Sequence, residues 1–249
     1  MSITELFASE FLRTVVLRAL VVGLLVSLCS SMLGVSLVLK RYSMIGDGLS
    51  HVSFGALSIA IALGFAPIKF SIPIVIIAAF FLLRLAENGK MKSDAAIAMV
   101  SASSLAIGVI VTSLTTGLST DVCSYMFGSI LAMSKDDVIF SVVLSVVVLI
   151  MFGFCYHRIF AVTFDESFSK ATGVKVGMYN TLISIFTAVT VVLGIKMMGA
   201  MLISSLIIFP ALTSMRVFKS FLSVTICSAI LAVINFTAGL LCSYAFSIP

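Results

Sequence analysis

The sequence predicts an all-α polytopic transmembrane helix bundle, with about eight spans and one short re-entrant or interfacial helix. Hydrophobic residues make up 61% of the 249 residues and charged residues only 10%. Soluble domains contain roughly 45–50% hydrophobic residues and about 25% charged residues. The mean hydropathy is +1.28, and uncharged runs of bilayer-crossing length follow one another along the chain. These observations exclude an ordinary soluble domain and a disordered chain.

Uncharged runs of residues mark the predicted spans, because about 20 apolar residues cross the hydrocarbon core of a bilayer. The runs are 19–39, 48–68, 70–83, 95–120, 138–156, 176–195, 197–215 and 220–249. The third run is short, and the flanking Lys69 and Arg84 are expected to extend it by reaching toward the headgroups. The run 122–134 is too short to cross, so we expect a re-entrant or interfacial helix there.

The distribution of basic residues predicts the orientation of the chain, since cytoplasmic loops carry an excess of Lys and Arg. With the first loop inside, the inside loops contain Lys40, Arg41, Arg84, Lys90, Lys92, Arg158, Lys170, Lys175, Arg216 and Lys219. The outside then contains Arg13, Lys69, Lys135 and Lys196. Ten basic residues against four favour this orientation, with both termini outside. We expect residues 1–249 to form one transmembrane domain. The basic excess follows from this topology, and no basic cluster indicates nucleic-acid binding.

One carboxylate and one histidine lie where the second span begins. Asp47 and His51 are four residues apart, so on a helix they share a face. Ionisable residues in membrane segments are costly and commonly functional, and a carboxylate with an imidazole suits a divalent metal such as zinc or manganese. The same spacing also fits a proton relay, or a structural role in which Asp47 caps the helix and His51 bonds a backbone carbonyl.

Two ligands do not complete a metal site, so further ligands must come from other helices, methionine sulfur or water. Asp121 immediately precedes the short run 122–134 and is a candidate residue of the metal path on the outer side. It is equally a candidate cap of the short helix predicted there.

The chain lacks the motifs of a catalytic or nucleotide-binding protein. Its nearest approach to a phosphate-binding loop, Gly89-Lys90, lacks both the first glycine and the Ser or Thr after the lysine. No H-E-x-x-H motif of a zinc protease is present either. Energy for any active transport would therefore come from another subunit or from a gradient.

The longest inside segment, roughly 157–177, has signals for a short helix. Asp165 stands where a helix would begin and Gly173 where it would end. Such a helix, lying against the membrane, would suit contact with a cytoplasmic partner. The alternative is a solvated connector.

Four blocks of sequence are distinctive in combination. They are KRYSMIGDGLSHVSFGALSIA (40–60), KSDAAIAMVSASSLAIGVIV (92–111), GLSTDVCSYMFGSILAMSKDDV (117–138), and FDESFSKATGVKVGMYN (164–180) continuing to KMMGAMLISSLIIFPALTSMRV (196–217). In this order they resemble the membrane permease subunit of bacterial ABC importers for zinc and manganese. The first block and the run before Pro210 are the most specific, and that run is closer to zinc permeases.

The resemblance implies a multi-pass permease that works in the bacterial plasma membrane as a homodimer or similar pair. It implies that the permease docks a cytoplasmic ATPase subunit and receives metal from an extracytoplasmic metal-binding protein. The permease itself would then be no enzyme and would hold no permanent cofactor, with zinc or manganese as the transported ion. Family members are expected to continue with a further hydrophobic segment beyond the position of Pro249.

The resemblance also assigns roles to residues. Asp47 and His51 match the acidic and histidine residues of the family's metal path, which favours the metal role over the other two. Phe164, Asp165 and Gly173 match the family's cytoplasmic coupling segment, here 164–177.

Two mechanisms of metal movement remain open at this stage. In the first, ATP hydrolysis on a partner moves the segment 164–177 and opens the path at Asp47 and His51 alternately to each side. In the second, the chain is a gradient-driven secondary metal carrier or channel, and the same two residues exchange protons for metal. The source of energy distinguishes them.

Overall fold

The computed structural model describes residues 10–42, 44–87, 93–115, 128 and 134–246. Within these residues it contains nine α-helices and no strand. The helices are α1 (Glu10–Leu39), α2 (Ile45–Ala62), α3 (Pro67–Glu87), α4 (Ser93–Leu114), α5 (Lys135–Phe164), α6 (Glu166–Ala171), α7 (Val176–Met198), α8 (Ala200–Val217) and α9 (Phe221–Phe246).

Seven of the described helices are long and apolar enough to cross a membrane. These spans are Leu17–Leu39, Ile45–Ala62, Ala95–Leu114, Lys135–Phe164, Val176–Met198, Ala200–Val217 and Phe221–Ser243. A shorter apolar stretch, Pro67–Leu82 of α3, takes the place of the third predicted run, which was expected to be short. The predicted all-α transmembrane bundle is therefore confirmed.

Two helix boundaries differ from the uncharged runs. The second run was predicted to continue to residue 68, but α2 ends at Ala62 and Gly64 follows with a φ of +72°. Pro67 then begins α3, a position where its fixed φ suits the first helical turn. At the other boundary, α5 continues past Arg158 to Phe164. Charge alone reveals neither boundary. The turn between α2 and α3 carries no charge, and Arg158 lies within α5 and not in a loop.

The core of the bundle forms where α1 and α7 pack against their neighbours. Val22, Val26 and Leu33 of α1 are almost fully buried, as are Val191 and Val192 of α7. Around them α1 contacts α5, α7, α8 and α9, and α7 also contacts α2 and α3. Long stretches of α4, α5 and α9 remain exposed and apolar, as expected of helices that face lipid.

Small residues let the backbones of the helices approach closely, which is a main source of helix association in membranes. A Cβ atom added to Gly34 of α1 would lie 1.9 Å from the carbonyl oxygen of Ile207 in α8. One added to Gly55 of α2 would lie 2.8 Å from the carbonyl oxygen of Ser104 in α4. These contacts fix α1 against α8 and α2 against α4.

An ion pair near each end of the bundle joins helices that are distant in sequence. Lys40 Nζ lies 2.7 Å from Glu166 Oε1, and Lys196 Nζ lies 2.6 Å from Asp137 Oδ2. The first pair joins two residues predicted to lie inside, and the second joins two predicted to lie outside. Each pair therefore joins residues that the predicted topology places on the same side of the membrane, while the orientation itself stays a prediction.

The predicted re-entrant or interfacial helix, 122–134, lies outside the described residues except for Gly128 and Ser134. Gly128 has a φ of +77°, and a Cβ atom there would lie 2.4 Å from the backbone nitrogen of Gly199. Its backbone therefore packs directly against the junction of α7 and α8. Ser134 caps α5, since its hydroxyl accepts a hydrogen bond from the Asp137 backbone N–H.

Candidate metal site

Asp47 and His51 lie one turn apart near the start of α2. The helix begins after Met44, so Asp47 lies within the first turn and is not the N-cap residue. His51 Nε2 is 3.7 Å from Asp47 Oδ2, slightly beyond hydrogen-bonding distance. Most of α2 is buried, yet the side chains of Asp47 and His51 remain 42% and 24% exposed. The pair is thus both close together and accessible.

Helix α8 brings Ser204 to the same place. Its Oγ lies 3.4 Å from Asp47 Oδ1 and 2.9 Å from the Ala200 carbonyl oxygen, so its single proton can be donated to either acceptor. Ser50, on the next turn of α2, lies 3.3 Å from Ser204 Oγ and donates to the Gly46 carbonyl oxygen. A small polar cluster therefore surrounds the carboxylate.

Close packing around Gly46 and Gly48 positions this cluster. A Cβ atom on Gly46 would lie 2.9 Å from the Ile207 side chain of α8, and one on Gly48 would lie 2.6 Å from Ile97 of α4. A larger residue at either position would require the Ile207 or Ile97 side chain to shift. The glycines beside Asp47 therefore allow α2 to pack closely on α8 and α4, where the carboxylate lies 3.4 Å from Ser204 Oγ.

The donor set suits a divalent cation held loosely. Ligand bonds of about 2.1 Å place two donors of one ion about 3.0–3.4 Å apart, so the 3.7 Å separation of His51 Nε2 and Asp47 Oδ2 needs only a small side-chain rotation. Among the residues whose positions are described, no cluster of three His, Cys, Asp or Glu side chains occurs. An ion here would complete its coordination with water, hydroxyl groups or a second molecule.

On the predicted inner side, α6 forms the short helix expected from the sequence. Asp165 caps it, with Oδ1 accepting a hydrogen bond of 2.9 Å from the Phe168 backbone N–H. Gly173, with a φ of +82°, follows the last turn and lets the chain reverse direction. Phe164 and Phe168 are 67% and 64% exposed. The segment thus presents two aromatic side chains away from the bundle.

A buried lysine ties α6 to the bundle. Lys40 Nζ donates to Glu166 Oε1 and to Asn180 Oδ1, and Asn180 Nδ2 donates to Glu166 Oε1 at 3.1 Å. Burial raises the pKa of Glu166, but the hydrogen bonds and charge of Lys40, together with Asn180, lower it more. The net pKa lies below the usual glutamate value, so this carboxylate is ionised at neutral pH.

A family model described as "ABC 3 transport family" matches residues 13–249 of this sequence. The chain belongs to the ABC 3 transport family. This confirms the family identified from the four blocks, and makes the chain a multi-pass membrane subunit of an ABC transporter. The fold and the two close donors on α2 are therefore to be understood as parts of a transport subunit.

Two relatives of this ABC 3 chain are named for the transport of different metals, zinc and manganese. It is 30% identical to the "High-affinity zinc uptake system membrane protein ZnuB" of Buchnera aphidicola, covering 91% of this chain and 87% of the relative. It is 27% identical to the "Manganese import system permease protein ScaB" of Streptococcus gordonii, covering 96% and 84%. The solved structure "PsaBC from Streptococcus pneumoniae in complex with Fab" matches with a TM-score of 0.85 at 26% identity, covering 99% of this chain and 87% of that one.

The residues predicted from sequence occupy two separate places in this ABC 3 subunit. Asp47 and His51 lie together on α2, whereas Phe164, Asp165 and Gly173 lie together around α6. Asp121 lies outside the described residues. The sequence reasoning missed four polar residues that the fold adds to these places: Ser204, Lys40, Glu166 and Asn180.

Proposed function

We propose that this protein is the membrane-spanning permease subunit of an ATP-driven importer of zinc or manganese. Relatives named for zinc uptake and for manganese import support the metal class. The observation that carries the proposal is the Asp47 and His51 pair, an oxygen and a nitrogen donor 3.7 Å apart on an otherwise largely buried membrane helix. Ionisable side chains in membrane helices are rare and commonly mark ion pathways, which supports a cation site here.

In this proposal Asp47 and His51 are the protein's ligands for the ion as it crosses. Oxygen and neutral imidazole ligands suit both zinc and manganese. Two protein donors bind weakly enough to release the ion, which a transport path requires. Ser204 keeps the carboxylate oriented through the contact at 3.4 Å. Asp121 remains a candidate residue of the outer part of the path.

Three partners complete the proposed importer. A cytoplasmic ATPase subunit docks against the segment 164–177, where the exposed Phe164 and Phe168 offer apolar contacts. An extracytoplasmic metal-binding protein delivers the ion on the outer side. A second copy of the permease forms the other half of the path in a homodimer. The permease hydrolyses no ATP and holds no permanent cofactor.

The ion specificity is tested by uptake of zinc and manganese into liposomes that contain the complete complex. We expect ATP-dependent uptake of at least one ion, and inhibition of that uptake by an excess of the other, because the same two donors accept both. Magnesium, which prefers oxygen ligands and retains its waters, serves as the control ion and is expected not to compete. Uptake of neither zinc nor manganese would contradict the proposal.

A further inference from the structure

We infer that Lys40, Glu166 and Asn180 form a rigid link that carries motion of α6 to the start of α2, and so to Asp47. We call these three residues the coupling cluster. The inference rests on the proposed function, because it assumes that a partner ATPase moves α6. It identifies positioning residues that transmit this movement to Asp47 and His51.

The first support is the weak attachment of α6 to the rest of the protein. The helix has six residues, of which only Ser169 is buried. Among the described residues, the pair of Glu166 with Lys40 is the one ion pair that α6 makes. Beside its backbone connections to α5 and α7, α6 is therefore tied to the end of α1 through Glu166, so a partner that moves α6 also acts on Lys40.

The second support is the burial of the lysine. The Lys40 side chain is only 6% exposed, and its ammonium group donates to both Glu166 and Asn180. Glu166 is 42% exposed, so the cost of separating the pair falls on the lysine, which would remain buried without a charged partner. Asn180 is itself buried in α7 and donates to the same Glu166 oxygen. Each of the three side chains thus forms a hydrogen bond with both of the others. Moving the three side chains together costs less free energy than breaking these hydrogen bonds.

The third support is the short stretch of chain from Lys40 to Asp47, of which residues 40–42 and 44–47 are described. Lys40 directly follows α1, and Arg41 takes the left-handed conformation with a φ of +61°. The Tyr42 backbone N–H donates to the Leu37 carbonyl oxygen, and the Ile45 N–H donates to the Tyr42 carbonyl oxygen. Asp47 follows in the first turn of α2. Hydrogen bonds thus brace this turn, and displacement of Lys40 displaces the helix that bears the metal pair.

The test measures metal transported per ATP hydrolysed by the complete complex in liposomes. Glu166→Gln removes the charge but keeps the size and hydrogen-bonding capacity of the side chain. We expect the ratio to fall at least about fivefold, the lower end of typical coupling factors, while ATP hydrolysis continues. Asp136→Asn, which removes an exposed carboxylate near the outer end of α5, is the charge-matched control and should leave the ratio unchanged.

A purely structural role predicts a different result. Loss of stability would lower transport and ATP hydrolysis together through the amount of assembled complex, with an unchanged ratio, and that result overturns the inference. If Glu166→Gln does not assemble, Glu166→Asp decides, because it keeps the charge and shortens the reach. A partial fall in its ratio supports the link, and an unchanged ratio overturns it. Wild-type complex that transports no metal overturns the proposed function itself, whereas an unchanged ratio in a transporting complex overturns the coupling cluster alone.

Discussion

Metal uptake by the complete transporter is expected to fall more than about a hundredfold when Asp47 or His51 is replaced by alanine. Loss of a residue that only supports a metal ligand lowers metal affinity or activity by roughly 10–100-fold. Asp47 and His51 are the proposed ligands themselves, so their loss is expected to have a larger effect. Asp47 and His51 are one turn apart on α2 and lie 3.7 Å from each other. Each substitution therefore leaves the ion with only one of the two ligands of this pair. Uptake of radioactive zinc or manganese into liposomes measures the effect.

Neighbouring serines provide matched controls for the alanine variants. Ser204 contacts Asp47 Oδ1, so Ser204→Ala is expected to lower uptake moderately. The next residue, Ser205, donates to the Met201 carbonyl oxygen of its own helix, so Ser205→Ala is expected to have little effect. Full uptake by assembled Asp47→Ala and His51→Ala complexes would remove both residues from the metal path.

The second large effect is expected at Gly34, where α1 and α8 are in backbone contact. A Cβ atom at this position would lie 1.9 Å from the Ile207 carbonyl oxygen and 2.9 Å from its carbonyl carbon. Backbone atoms cannot move aside as a flexible side chain does, so Gly34→Ala must separate the two helices. Overpacking in cores commonly costs about 1–3 kcal/mol, and we expect this contact to exceed that range. Thermal unfolding of the purified protein in detergent measures it.

Gly153 of α5 offers the matched control for that experiment. It too lies inside a long helix, but no atom lies within 4 Å of an added Cβ. Gly153→Ala is therefore expected to be neutral, or slightly stabilising by about 0.5–1 kcal/mol, because alanine loses less conformational freedom in a helix. Equal stability of the two variants would mean that α1 and α8 do not pack as closely as described.

The spans could be predicted because the bilayer imposes a simple rule on sequence, that charge is excluded over a fixed length. The rule identifies the segments that lie within the bilayer, but it does not predict where the backbone turns. It therefore missed the uncharged turn between Ala62 and Pro67, where Gly64 and the proline end one helix and begin the next. It also ended α5 too early, since Arg158 lies within a helix that continues to Phe164.

The site could be predicted only as far as its residues lie close in sequence. Asp47 and His51 are related by one helical turn, so their spacing reveals their proximity. Ser204 is 157 residues from Asp47, and no local pattern relates the two. Lys40 and Glu166 are 126 residues apart and meet only because α6 packs beside the end of α1. Such contacts depend on the packed fold, which a single sequence does not display.

The most direct test of the central claim is the source of energy for metal accumulation. Liposomes containing the permease with its ATPase subunit and metal-binding protein are expected to concentrate zinc or manganese only when ATP is supplied. The permease alone, with a proton gradient across the membrane, is expected to concentrate neither ion. Accumulation by the permease alone, driven by the gradient and abolished by Asp47→Ala, would contradict the account and identify a secondary metal carrier.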